Sequence, residues 1–487
     1  MFFKQKSNII FRNYKSFGYI TDNRNFSYQQ TNNNDNHIGD KILSESGAVF
    51  FSVLDKAPQT LDELVDKINK QFINVDINRI KKDAKEFYFM LEQEGFIVSG
   101  KTFLECEEKD KRFSYKILES KITNKDVILS KKDTQEFFEE YFNGKPQLTN
   151  LHIEITSRCN ERCIHCYIPH ENKINNIDPD LFYDILEQCK NMRLLHLTLS
   201  GGEPLLHKNF CDFLRKCREY NFSVNVLSNL TLLNEEIIEE MKKNPLLGVQ
   251  VSLYSMDPII HDEITQMKGS FEKTKNAILR LIDNDIPLQI SCPIMKQNKN
   301  CYDNVLKWAA KHKIHAGEDF VIIARYNHTT KNLLCRLSVN EVKELINNKI
   351  LNNRGYLEQM EMEVKKKRDI TPNDFVCSVC HSSICIAENG NIYPCAGWQD
   401  YIVGNVKELS LNDIWNNSEK VQYLRDLRKK DFPMCIQCAD KEFCTMCMVR
   451  NANESPKGDP LTVNDFFCDI ARSNKELSLE WKKKLCK

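Results

Sequence analysis

The sequence predicts an α/β protein in which a partial (β/α)6 barrel of parallel strands stands between a small N-terminal domain of strands and helices and a cysteine-rich C-terminal domain. Three observations carry the prediction. From Leu151 to about Ala324, apolar strand-like runs alternate with helical patterns, the signature of parallel β/α units. Before residue 100, short strands give way to three helical patterns. Nine cysteines lie between Cys377 and Cys468, and in a reducing compartment such a density points to metal rather than to disulfides. The organisation read from these shifts is a domain at 1–100, a linker at 101–148, a core at 149–345, a second linker at 346–376 and the cysteine-rich domain at 377–487.

In chain order, the N-terminal part offers strands at Tyr19–Thr21, Phe26–Gln29 and Asp40–Leu43, the last two separated by the Asn-rich stretch Gln30–His37. Thr60 with Glu63 forms a capping box that opens a helix. Ile80, Ala84, Phe87 and Leu91 recur at helical spacing in the next helix, which Gly95 ends. The charged segment after Lys101 carries some helical pattern near Thr134–Phe142. Barrel strands are expected at Leu151–Thr156, Leu194–Leu199, Ser223–Leu227, Gly248–Leu253, Pro287–Cys292 and Phe320–Ala324, with helices such as Asp180–Lys190, Phe210–Tyr220, Glu235–Lys243 and Phe271–Asn284 between them.

Composition narrows the function classes. Lys+Arg and Asp+Glu both total 68, so no global field attracts nucleic acid, and the runs Lys365–Arg368 and Lys482–Lys484 read as solvated faces. No apolar run reaches the ~18 residues of a membrane span, and the N-terminus lacks the pattern of a secretory signal, so a cytoplasmic protein without a membrane partner is expected. Cys189, Cys211, Cys217, Cys292, Cys301 and Cys335 are scattered singly through periodic segments as small buried hydrophobes. Cys106 and Cys486 carry no readable role.

The stretch CNERCIHCY follows the first barrel strand, where parallel barrels gather their chemistry. It places Cys159, Cys163 and Cys166 within eight residues. Four protein ligands would close a metal site, whereas three leave a position open for substrate. Thiolates favour zinc or an iron–sulfur cluster, and His165 or His170 could complete a zinc site. These residues resemble the radical S-adenosylmethionine (radical SAM) enzymes, with His165 in the aromatic-like position of the cluster loop. The resemblance runs from Leu151 to about Asn327. It implies a [4Fe–4S] cluster whose fourth iron chelates S-adenosylmethionine. Gly201, Gly202, Glu203 and Pro204 then match the family's GGEP motif, in which Glu203 would hold the cofactor's ammonium. Ser228 and Asn229 would meet its ribose, Ser252 and Tyr254 end the fourth strand, and Pro293–Asn298 resembles the family after the fifth.

Cys377, Cys380, Cys385, Cys395, Cys435, Cys438, Cys444, Cys447 and Cys468 taken alone could form a zinc ribbon. After a radical SAM core they resemble the SPASM extension, with a Cys444–Cys447 gap one residue shorter than its usual pattern. That resemblance implies two further [4Fe–4S] clusters, three in all. Cys435, Cys438, Cys444 and Cys468 would hold one; Cys385, Cys395 and Cys447, with Cys377 or Cys380, would hold the other. The implied chemistry is hydrogen abstraction by a 5′-deoxyadenosyl radical, fed by a one-electron reductant such as flavodoxin or ferredoxin. The N-terminal part resembles the winged-helix recognition domain of ribosomal-peptide maturases, implying a precursor peptide captured by its leader and a Cys thioether as product, as in sactipeptide or ranthipeptide maturases. The competing readings are a formylglycine-forming sulfatase maturase and, outside enzymes, a metal-sensing DNA-binding regulator.

Overall fold

A computed structural model describes residues 1–22, 40–111, 140–368 and 371–485. The expected strand Phe26–Gln29, the Asn-rich stretch, most of Thr134–Phe142 and Cys486 lie outside them.

The N-terminal domain holds two strands before the first one the sequence reading placed. Strands β1 (Phe2–Gln5) and β2 (Ile9–Asn13) precede β3 (Gly18–Asp22) and β4 (Asp40–Leu43). The first two escape a pattern reading because each carries a cation that is buried by pairing. Lys4 meets Glu107 and Asp110 at 2.8 Å each, and Arg12 donates to the carbonyls of Leu194 and Asn221. β2, β3 and β4 form one antiparallel sheet; β1 sits between β5 (Gln59–Thr60) and β6 (Ile97–Gly100) in another. Helices α1 (Glu45–Ser52), α2 (Leu61–Asn69) and α3 (Ile77–Gln93) pack on them, and α4 (Phe103–Lys111) opens the segment expected as a linker. The Thr60/Glu63 capping box forms with both reciprocal bonds. In α3 the buried stripe is Ile80, Ala84, Tyr88 and Leu91; Phe87 is only partly covered and turns toward a groove beside β4. Gly95, at φ 89°, ends the helix, and the Phe96 amide returns to the Leu91 carbonyl.

The core is a parallel sheet of β7 (Asn150–Thr156), β8 (His196–Gly201), β9 (Ser223–Ser228), β10 (Leu247–Ser252), β11 (Leu288–Pro293) and β12 (His315–Asp319), side by side in chain order. Helices Pro179–Asn191, Phe210–Glu219, Glu235–Lys242, Ser270–Asp283 and Tyr302–Lys311 cover it. The sixth strand is not Phe320–Ala324 but the five residues before it, HAGED. As an edge strand with no buried residue it shows no apolar alternation, whereas the apolar run after it packs as irregular chain. The segment 346–376 is helical through Arg368, in Val339–Asn352 and Arg354–Arg368.

The cysteine-rich domain is continuous with the barrel. β13 (Ser383–Ile386) pairs in parallel with β7, and β14 (Asn391–Tyr393) and β15 (Gly404–Asn405) extend the sheet to nine strands. One apolar cluster therefore runs from the barrel's outer face to Trp398, Trp415 and Phe432. At the opposite, N-terminal end of the strands, Ile10 and Tyr19 pack on Leu195 and Leu246, which docks the N-terminal domain there.

Candidate active site

β7 delivers the cysteine loop to the C-terminal edge of the sheet, and hydrogen bonds fix the loop on three sides. The Ser157 amide donates to the Asn175 carbonyl at 3.0 Å; the amides of Arg162 and Ile164 donate to the carbonyls of Thr265 and Ile264 at 3.0 Å each. Asn160 donates to Thr231 Oγ1 and accepts from Asn229 Nδ2. Within the loop, Glu161 sits between two of the sulfurs: its amide donates to Cys159 Sγ and its carboxylate accepts from Cys163 Sγ, each at 3.4 Å. Burial pushes the Cys159 thiol up to about 11 and Cys163 well above its ordinary value, and the charges of Glu161, Cys166 and Cys159 raise Cys163 further. Cys159 and Cys163 thus lie in one desolvated neighbourhood, which Cys166 adjoins and in which a cationic iron centre would compensate the thiolates. Two fully covered polar atoms, Glu161 Oε1 and His165 Nδ1, have no partner among the described residues and leave bonding capacity for a cofactor. The donor set fits an iron–sulfur cluster with a small polar ligand beside it.

The second strand end explains its glycines by contact. A Cβ on Gly201 would stand 1.9 Å from the Thr156 carbonyl oxygen, at a φ of +132°, and one on Gly202 would stand 2.2 Å from that of Arg158. The Gly202 and Glu203 amides donate to those same two carbonyls at 2.8 Å. The GGE turn is therefore the floor on which the cysteine loop starts. Glu203, fully buried, accepts from the Leu205 amide, Ser228 Oγ and the Asn229 amide, so its carboxylate ties the ends of β8 and β9 together. Burial lifts its carboxyl to about 7 against the pull of these donors. Pro204 starts a short 3-10 turn, Ser252 ends β10, and Tyr254 meets His165 edge-on at 5.2 Å between ring centres. Burial holds the His165 imidazole down to about 4, hence neutral.

The C-terminal cysteines fall into two groups. Cys435, Cys438, Cys444 and Cys468 act on one another's thiols, in a pocket where Lys367 donates to the Cys444 carbonyl and Asp440 N–H donates to Cys438 Sγ. Lys367, expected on a solvated face, is thereby tied to this loop. Cys377, Cys395 and Cys447 form the second group, and Cys380 adjoins Cys377 and Cys395. Cys385, on β13, adjoins Cys395, and its sulfur and donor atoms of His152 and Glu154 all lie within 4.8 Å of one another.

Comparison with known proteins decides the class. Residues 153–309 match the radical SAM superfamily, and residues 377–440 match SPASM, an iron–sulfur cluster-binding domain. The chain carries a radical SAM domain followed by a SPASM domain. It is an enzyme, with S-adenosylmethionine and iron–sulfur clusters as cofactors, and the regulator reading falls away. It is 26% identical over 328 residues to the tungsten-containing aldehyde ferredoxin oxidoreductase cofactor-modifying protein of Pyrococcus furiosus, covering 60% of this chain and 88% of that one. It is 24% identical over 328 residues to the antilisterial bacteriocin subtilosin biosynthesis protein AlbA of Bacillus subtilis, covering 64% and 70%. Streptococcus suis SuiB, solved bound to the precursor peptide SuiA, shares the fold over 96% of this chain and 99% of that chain, with a TM-score of 0.58 at 16% identity.

The structure also adds residues to the radical SAM site that no motif announced. Glu154, buried on the inward face of β7, accepts from Tyr167 Oη at 3.2 Å and from Gln399 Nε2 of the SPASM domain at 2.6 Å. Burial raises its carboxyl to about 7. The charges of Cys166, Cys385 and Cys395 all act on Tyr167, so this trio adjoins both groups of cysteines. Its alternation within an otherwise apolar strand was the available signal: a charged residue at the centre of IEIT, beside the cysteine loop.

Proposed function

We propose that the protein modifies a ribosomally made peptide, joining a peptide cysteine sulfur to a carbon of another residue. When bound, the cluster and S-adenosylmethionine supply a 5′-deoxyadenosyl radical that abstracts a substrate hydrogen atom. The chain's own share is to hold the cysteine loop on the GGE floor, to keep Glu154, His152 and Tyr167 inside a water-poor barrel, and to bring a peptide to the mouth. Three [4Fe–4S] clusters, a one-electron reductant such as flavodoxin or ferredoxin, and cytoplasmic residence belong to the same reading. Among the described residues no helix is long and apolar enough to cross a membrane.

The observation that carries the proposal is the N-terminal groove. A cavity of about 610 Å³ lies between β4 and α3, with Phe50, Phe72 and Phe87 toward its floor and Lys41, Arg79 and Asp83 among its lining residues. Among the described residues no strand pairs with the outer edge of β4, so an extended peptide can add to it by backbone hydrogen bonds while the aromatic floor selects side chains. The fold likeness to SuiB extends over nearly the whole chain and so takes in this domain. The test uses Val75→Glu with Met90→Glu, two groove residues whose side chains are already exposed. With a Cys-containing precursor peptide as substrate, mass spectrometry should show the wild type removing two hydrogens and blocking alkylation of that cysteine. The double variant should lose at least about tenfold in modification at low substrate, from the loss of tethering, yet keep uncoupled cofactor cleavage. Loss of sulfur from the peptide would instead indicate formylglycine.

A further inference from the structure

The inner face of β7 carries metal-binding side chains outside the three-cysteine loop. Leu151, Ile153 and Ile155 belong to the apolar cluster under the helices, so the alternating His152 and Glu154 face the barrel interior. β13 continues the pattern: Ile384 and Ile386 join that cluster, while Cys385, the parallel partner of His152, lies on the inner face beside it. An imidazole, a carboxylate and a thiol therefore converge, with one donor atom of each within 4.8 Å of the others. Ligand atoms about 2.0–2.3 Å from a tetrahedral zinc stand roughly 3.4–3.6 Å apart, a closure of at most about 1.4 Å that side-chain rotation can supply. Glu154 and Cys385 are each 1% exposed, and among the described residues no cation lies within ion-pair distance of the Glu154 carboxylate, which has Glu388 nearby instead. Such a buried acid is costly until a cation or a proton answers it. The ligand groups are also held from behind, as those of metal sites are: His152 Nε2 meets Ser200 Oγ, and Glu154 accepts from Tyr167 Oη and Gln399 Nε2. Cys385 is not required elsewhere, because Cys377, Cys380, Cys395 and Cys447 adjoin one another and can supply the four thiolates of one cluster.

We infer that His152, Glu154 and Cys385 form a mononuclear zinc site whose fourth position, open to the barrel interior, takes the thiolate of the substrate cysteine. Three mixed ligands with one position open are the pattern of zinc sites that bind substrate. Only the identity of the fourth ligand rests on the thioether reading. Its arrival is an exchange in which no electron moves: the peptide sulfur displaces a water from zinc, the zinc–sulfur bond forms, and the thiol proton leaves on that water. A thiol of ordinary pKa near about 8.5 is thereby held as thiolate at neutral pH, ready to bond to a carbon from which hydrogen has been removed.

The experiment reads zinc, not turnover. The anaerobic, cluster-loaded wild type should hold about one zinc per chain by elemental analysis, and zinc-edge X-ray absorption should find one sulfur at about 2.3 Å beside nitrogen and oxygen at about 2.0–2.2 Å. Added N-acetylcysteinamide should bring a second sulfur into that shell, and N-acetylserinamide should not. Cys385→Ala, His152→Gln and Glu154→Gln should each lower zinc at least about tenfold with iron unchanged, since losing even an outer partner costs a metal site that much. Where a variant fails to fold, the wild-type spectrum still decides. Absence of stoichiometric zinc overturns the site, and so do four sulfurs around it, which would place the metal among the SPASM cysteines. Iron falling by about a third in Cys385→Ala would give this thiol to a cluster and overturn it as well. A one-sulfur shell that gains no second sulfur overturns the thiolate role. Zinc content and the resting shell need no peptide, so failure of the thioether reading alone would leave both in place.

Discussion

Gly201 shows how much of the site rests on a single missing methyl group. Its backbone lies in the left-handed region and its Cα faces the Thr156 carbonyl at a separation that no side chain survives. Gly201→Ala should therefore destabilise the barrel by on the order of 3 kcal/mol, combining backbone strain with overpacking. The damage should be local first: iron of the cysteine loop is lost before iron of the SPASM domain, which iron analysis alongside thermal unfolding would resolve. At this scale the sequence was partly legible. The three cysteines and GGEP are short-range spacings, so they could be read directly. Glu154 could not, because its surroundings depend on Gln399, more than two hundred residues away. In sequence it is an ordinary charged residue.

Among the elements, the legible ones were those whose burial imposes a period. β7 to β11 lie within two residues of their expected bounds, because strands covered by helices on the outer face must read as apolar runs. The sixth strand failed that reading for the converse reason: with Glu318 paired to Lys349 and no residue buried, nothing in HAGED marks a strand. The cysteine loop is an element in the same sense, a wrap anchored outside its own ligands by Ser157, Asn160, Arg162 and Ile164. Replacing Cys159, Cys163 and Cys166 together by Ala should leave those anchors intact and the SPASM cysteines undisturbed. Total iron should then fall by about a third from roughly twelve per chain, and 5′-deoxyadenosine formation should cease. A loss of all iron would mean that the loop and the SPASM domain fold as one metal-dependent unit.

For the whole molecule, the two ends of the barrel have different tasks. The mouth holds the cysteine loop, while the far end is closed by the N-terminal domain, with Arg12 donating across the contact and Ile10 and Tyr19 covering Leu195 and Leu246. Deleting residues 1–100 would uncover that apolar surface, which makes groove substitutions the cleaner probe of recognition. The separation also constrains any precursor peptide. β7 has seven residues and so rises about 23 Å from the docked end to the mouth. A peptide held along β4 must cover that height and round a helix layer some 10 Å thick, roughly 33 Å in all. An extended chain spans at most about 3.3–3.6 Å per residue, so about ten residues must separate the captured leader segment from the modified cysteine. Precursors whose spacer is cut to about five residues should still bind with unchanged affinity, read by fluorescence anisotropy, but be modified at least about tenfold more slowly than those with about twenty. Equal modification of both would mean that the leader leaves the groove before the core enters the barrel, and capture would then serve delivery rather than tethering.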